Sequence, residues 1–419
     1  RTIIALCCCT AIRCLEEVLI DLDPGGLVWS GLDVDDDLAL LMAVALNRTT
    51  DIKLVGITVC GGNAPIKHTA PGLDLLLRTA GISAAEDLVH GVARGYGWRD
   101  MHVAWPKFRN LNHISPDDAS SDAAAELIVR AARASGQDGL TVLTLGPATN
   151  LARAMQMSPD IVPRLRRVVL MGGELTGGKM CLNFVSDRAA VRTVLDSPVP
   201  TMIVPIQTCA QVAFTSDDLA ALQTQCGCDS NDEARPTAAA CALRRKAGLQ
   251  THVMPWLVNK CVAPKLPSGS RWHASPRLAS GFIPWDVVAL LAAFRPALFR
   301  DTEAHRVEVP PCEHLGVERE PCDATMCVHP EPLTHATDEN RNAWRGVALV
   351  PHTVRSEARL IREATELICA VRLAEGVPAE PPLLLGFVKE VGLLVGMTLA
   401  AVVAAGGFII HSSRAPIGR

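Results

Sequence analysis

Two acidic runs, Asp21-Leu22-Asp23-Pro24-Gly25 and Asp35-Asp36-Asp37, flank the first strand-to-helix junction and constrain the chain more than any other feature. Val18-Leu19-Ile20 reads as a buried strand, and residues 38–46, apolar almost throughout, read as the helix after it. Acids converging where a strand ends raise one another's pKa and cannot all stay charged without a counter-ion. Clustered carboxylate oxygens are what a hard cation such as Ca²⁺ or Mg²⁺ selects. A helix N-terminus also favours negative charge, so an acidic helix cap is the plain alternative.

Further along, the pattern alternates. Residues 53–59, 140–145, 167–171 and 200–205 read as strands. Residues 68–80, 121–135, 189–195 and a stretch from Thr149 read as helices. Such alternation predicts an α/β fold with an open, mostly parallel sheet and helices on both faces. Folds of this kind bind ligands at the carboxyl ends of their strands. The acidic runs, Leu145-Gly146 and Met171-Gly172-Gly173 all fall at such ends, which turns the reading from a helix cap toward an active site. Residues 300–342, rich in Pro, Cys, His and charge, read as an elaborated loop region, and residues 344–373 as a resumed helical pattern.

At 419 residues and 49% hydrophobic, the chain can bury a large core. Its net charge of −4 gives no basic footprint, which argues against nucleic acid as a partner. Cys312, His314, Cys322, Cys327 and His329 match no standard zinc spacing. Residues 391–410 carry no charge and are long enough, as a helix, to cross a bilayer. The expected organisation is an N-terminal extension (1–14), a main domain (15–374), a linker (375–390), a C-terminal transmembrane helix (391–410) and a tail (411–419). That layout implies a single-pass membrane anchor of undefined sidedness.

Taken in order, the motifs resemble the inosine–uridine-preferring nucleoside hydrolase family. Its hallmark DxDPGxDD is matched by Asp21-Leu22-Asp23-Pro24-Gly25 and then Asp36-Asp37. Gly61-Gly62-Asn63 follows the second strand, and residues 145–152 are similar to the family's LGPLTNLA turn. Residues 168–173 resemble its VVLMGG strand, residues 183–187 its N-x-x-x-D segment, and Trp285-Asp286 its His-Asp or Trp-Asp pair. The resemblance implies a nucleoside hydrolase-like fold, a bound Ca²⁺ and hydrolysis of the N-glycosidic bond of ribonucleosides. It implies metal ligands from Asp23, Asp37, Asp286 and the Leu145 carbonyl, with Asp23 also the general base. Asn63 and Asn183 would bind the ribose, Asp36 would orient sugar and acids, and Trp285 would stack on a purine. It leaves room for a homo-oligomer.

The chain departs from that family at three places. Residues 26–35 interrupt the hallmark, so Asp33 or Asp35 can replace Asp23 at the metal. Cys181 stands where a Glu is common, and Gln207 where an Asp usually precedes Thr; Glu174 lies near enough in sequence to compensate. His90, His113 and His252 are loose candidates for activating the leaving base. Two other classes compete: a catalytically inactive, membrane-anchored nucleoside- or sugar-binding relative, and a phosphatase of the haloacid dehalogenase type. The second fits Asp21-Leu22-Asp23 but lacks a downstream acidic pair and has Gly25 where Thr or Val belongs.

Overall fold

Val18, Leu19, Ile20 and Leu22 of strand β1 (Glu16–Leu22) are fully buried, so both faces of the strand are apolar. Such a strand belongs in the interior of a parallel sheet. In the computed structural model, β1 lies between β2 (Ile52–Val59) and β4 (Leu140–Thr144), parallel to both. The structure describes residues 15–24, 34–63, 66–79, 82–83, 88–96, 121–173, 175, 182–227, 273–308, 327–332 and 345–371. The chain divides into two units, Arg1–Val377 and Pro378–Arg419, and every described residue lies in the first.

The remaining strands are β3 (Val92–Arg94), β5 (Leu165–Met171), β6 (Thr201–Val204), β7 (Phe214–Thr215), β8 (Gly281–Phe282), β9 (Phe299–Glu308), β10 (Cys327–Pro332) and β11 (Val347–Val354). Nine of the eleven described strands form one sheet in the order β10-β9-β11-β6-β5-β4-β1-β2-β3, and β7 pairs with β8 in a small ribbon. From β3 to β11 all neighbours run parallel, whereas β9 is antiparallel to both β11 and β10. The helices are α1 (Asp35–Arg48), α2 (Ile66–Thr79), α3 (Ala123–Ala134), α4 (Thr149–Met157), α5 (Leu182–Ser186), α6 (Arg188–Leu195), α7 (Ile206–Cys209), α8 (Ser216–Cys226), α9 (Trp285–Phe294) and α10 (Glu357–Cys369).

Two hydrophobic cores cover the sheet. One gathers α1, α2, α9 and α10; the other gathers α3, α4 and α6. Every residue of α1 from Asp35 to Leu46 is buried, as suits a helix apolar on nearly all sides. It packs against α9, which is just as apolar, and against α10. A disulfide between Cys226 and Cys369 joins the ends of α8 and α10.

The open, mostly parallel sheet with helices on both faces is the expected architecture. Two expectations are corrected. Residues 300–342, read as irregular, contain β9 and β10, and the stretch read as helical from 344 begins with β11. β9 mixes charged and apolar residues without regular alternation, and β11 carries Pro351, His352 and Thr353 after its apolar start, so periodicity announces neither as a strand. The expected membrane span is also overturned: among the described residues, no helix is long and apolar enough to cross a membrane. Residues 391–410, on which that expectation rested, lie outside the described residues.

Candidate active site

The site begins where β1 ends. Asp21, fully buried, accepts hydrogen bonds on Oδ1 from Thr58 Oγ1 (2.7 Å) and Asn150 Nδ2 (2.8 Å). Its Oδ2 accepts none. Burial pushes its pKa up to about 6 against those two hydrogen bonds. Asp21 therefore ties β1 to β2 and to the first turn of α4. Asn150 is itself oriented by the backbone N–H of Tyr96, which donates to its Oδ1 at 3.1 Å.

Asp23 lies just beyond β1, buried in a slot walled by glycines. A Cβ on Gly62 would come within 1.9 Å of Asp23 Oδ2, and one on Gly146 within 2.7 Å of Oδ1. Neither position tolerates a side chain, which accounts for glycine in both turns. The backbone N–H of Asn63 donates to Asp23 Oδ2 at 2.9 Å. Asp36 is held from the same side: it accepts the Asp23 backbone N–H at 3.2 Å and Asn63 Nδ2 at 3.3 Å.

From the far end of the chain, the backbone N–H of Asp286 at the start of α9 donates to Asp35 Oδ2 at 3.3 Å. Asp35, Asp36 and Asp286 each present an oxygen within 4.8 Å of the others, and all three carboxylates are buried. Oxygens at roughly 2.3–2.6 Å from one Ca²⁺ ion lie no more than about 5 Å apart, so this donor set fits a hard cation. Three buried like charges at this separation strongly oppose ionisation unless a cation joins them.

The resemblance implied carboxylate ligands from Asp23, Asp37 and Asp286; among the described residues, the three carboxylates that gather are Asp35, Asp36 and Asp286. Asp37 is buried but belongs to no such group. Successive helix residues are turned by about 100°, so three consecutive acids cannot all face one point.

Other expected site residues find these places. Asn183, buried at the start of α5, donates through Nδ2 to the carbonyls of Leu145 and, at 3.3 Å, Met171. It thereby joins the ends of β4 and β5, and the Leu145 carbonyl has Asn183 as its partner. Trp285 is half-buried beside Asp286 and touches both cores. Gln207 is buried and accepts the Leu175 backbone N–H at 3.1 Å. His90 lies beside Glu17, Lys53 and Arg130, near the amino ends of β1 and β2, away from the acids. Asp33, His113, Glu174, Cys181 and His252 lie outside the described residues. Asn150 and Asp35 had been given no definite role from sequence, although a buried Asn in a turn always needs partners.

A family model described as inosine-uridine preferring nucleoside hydrolase matches residues 18–347. A curated relative, the pyrimidine-specific ribonucleoside hydrolase RihB of Escherichia coli O157:H7, is 29% identical over 227 residues, covering 50% of this chain and 65% of RihB. The chain thus spans just under two thirds of the length of the curated relatives it matches. Two solved structures, a plant nucleoside hydrolase (PpNRh1) and a purine-preferring ribonucleoside hydrolase from Gardnerella vaginalis, share the fold. Each is 18% identical with a TM-score of 0.59, covering 85% of this chain and 99% of the other.

Proposed function

The chain belongs to the inosine–uridine preferring nucleoside hydrolase family, and from that premise we propose that it hydrolyses the N-glycosidic bond of ribonucleosides to ribose and free base. The observation that carries this reading is the convergence of Asp35, Asp36 and Asp286, residues up to 251 positions apart, into one buried oxygen cluster beside Asp23. These three carboxylates would hold a Ca²⁺ ion. When bound, such a cation supplies Lewis acidity toward water and toward vicinal hydroxyl oxygens.

The protein's own groups carry the rest. Asp23, fixed between Gly62, Gly146 and the Asn63 backbone, takes the proton of the attacking water. Cleavage builds positive charge on the ribose, as in other glycoside hydrolyses. Fixed carboxylates stabilise that charge more than they stabilise the neutral substrate. Asn63, anchored to Asp36 through Nδ2, and Asn183, anchored on the Leu145 and Met171 carbonyls, position the sugar. Trp285, at the head of α9 next to Asp286, stacks on the base and favours a purine. The relatives' own preferences, pyrimidine for RihB and purine for the Gardnerella enzyme, bracket this choice.

Ribose release from inosine and uridine by the purified chain, with Ca²⁺ and after chelation, tests the reading. The expected result is turnover of inosine ahead of uridine, lowered by roughly 10²–10⁴-fold in Asp23→Asn. Nucleoside binding without ribose release would instead identify an inactive binding relative.

A further inference from the structure

Outside the acid cluster, a second group of metal-ligating side chains lies on the antiparallel flank. Glu303 and His305 are two residues apart on β9 and share one face of the strand. The register pairs Glu303 with Val350 and His305 with Ala348, so His352, two residues past Val350 on β11, joins the same face diagonally. Ala348 opposite His305 contributes only a methyl group, which leaves room for the imidazole to lie along the strand. The two histidines meet Nε2 to Nε2 at 2.7 Å, with their rings at 78°. Glu303 Oε2 is 3.5 Å from each of those nitrogens. Both imidazoles are 1% exposed and the Glu303 side chain 30%.

Two buried ring nitrogens pointed at each other share at most one hydrogen, whereas a cation takes a lone pair from both. Zn–N bonds of roughly 2.0–2.1 Å at a tetrahedral angle separate the nitrogens by about 3.3 Å. The pair need open by only about 0.6 Å to reach that value, and the carboxylate oxygen already stands at the right separation from both. The strand carrying His352 is held in place: its backbone carbonyl accepts Gln211 Nε2 at 2.7 Å, and the Pro351 carbonyl accepts Thr208 Oγ1. Two imidazoles and a carboxylate suit a borderline transition metal rather than the hard cation an all-oxygen set selects.

We propose that Glu303, His305 and His352 form a second metal site, of the Zn²⁺ class, with three protein ligands and a fourth position opening toward solvent past Glu303. The site stands independently of the hydrolase reading, because it shares no residue with the acid cluster.

The test uses the full-length, tag-free chain, stripped with chelator, saturated with Ca²⁺ and titrated with Co²⁺ and then Zn²⁺. One equivalent of Co²⁺ is expected to give intense tetrahedral d–d bands without a thiolate charge-transfer band, and Zn²⁺ to displace it. His352→Gln should abolish the bands. Glu303→Gln, a near-isosteric change at a partly exposed position, keeps the question open if His352→Gln fails to fold. It should weaken Zn²⁺ by more than the roughly 10–100-fold that loss of a mere supporting partner costs. Asp36→Asn should leave the spectrum intact. Failure to retain one equivalent of metal, a thiolate band that survives His352→Gln, or a spectrum lost only with Asp36→Asn would each overturn the site.

Discussion

The two flanks of the sheet assemble chemistry in opposite ways. At the carboxyl ends of the parallel strands, Asp23, Asn63, Asp36 and Asp286 come from four separate segments: Asn63 donates to both Asp23 and Asp36, the Asp23 N–H donates to Asp36, and the Asp286 N–H donates to Asp35. On the antiparallel flank, Glu303, His305 and His352 come from two paired strands, the histidines 47 positions apart, and meet because alternation puts them on one face. The first arrangement collects oxygens at the place where strand order lets loops converge. The second collects nitrogens on a strand face, where no loop is needed. A composite site depends on the whole fold, and a strand-face site only on one pair of strands.

The sharpest way to break this contrast is to remove one acid. Asp36→Asn is expected to lower ribose release by about 10²–10³-fold or more, the scale of losing a fixed electrostatic partner. Relief of like-charge repulsion should raise the melting temperature of the same variant in chelator, relative to the unaltered chain. His352→Gln should leave ribose release unchanged. A His352 variant that lost turnover would show that the flanks are one functional unit.

Stability offers the next test. Cys226–Cys369 ties α10, the helix that follows β11, to α8 across a separation of 143 residues. Cys369→Ser should cost about 2–4 kcal/mol, read as a lower denaturation midpoint. If the antiparallel flank is the more separable part, protection from hydrogen exchange should fall first in β11 and α10, with β1 and β4 protected longest. Uniform loss across the sheet would argue against a separable flank. Calcium should act at the other end: at a hundredfold excess over its dissociation constant it should add about 2.7 kcal/mol. That gain should vanish in Asp36→Asn and persist in His352→Gln.

The same contrast governs how much could be read without coordinates. The parallel half was legible because its strands are apolar on both faces and its turns carry fixed Gly, Asp and Asn residues. β1, β2, β4 and β5 all fall where those runs placed them. Within the site, Asp36, Asn63 and Asp286 could be anticipated from motif order, but the phase of α1 could not. Which two of three adjacent acids face Asp286 is decided by α1 packing on α9, a contact between residues far apart in sequence. The flank was illegible for a different reason. In β9, Glu303 and His305 sit among charges with no apolar alternation to announce a strand, and His352 follows Pro351, which reads as a turn.

The smallest expected effect lies on the parallel half, where a surface cluster leads into the site. Arg153 donates to both Asp122 oxygens, at 2.9 and 3.0 Å, and the Tyr96 hydroxyl donates to the same carboxylate. These hydrogen bonds, Arg153 first, hold the Asp122 pKa down at about 2. A carboxyl whose folded pKa lies below its ordinary value of 3.8 stabilises the fold above that value, and the benefit disappears as pH falls through about 2. With side chains 41% and 34% exposed, solvent screening limits the pair to about 0–1 kcal/mol. Asp122→Asn should therefore lose little stability at neutral pH and should flatten the difference curve between pH 4 and pH 2. Tyr96 is the chain's single tyrosine, so its phenol titration is a clean second readout. Burial and the Asp122 carboxylate both raise that pKa, and the variant should titrate lower. Because the Tyr96 backbone holds Asn150, which holds Asp21, a fall in turnover beyond the stability loss would make this triad part of the positioning of the acids. Unchanged turnover would confine it to anchoring β3 against α3 and α4.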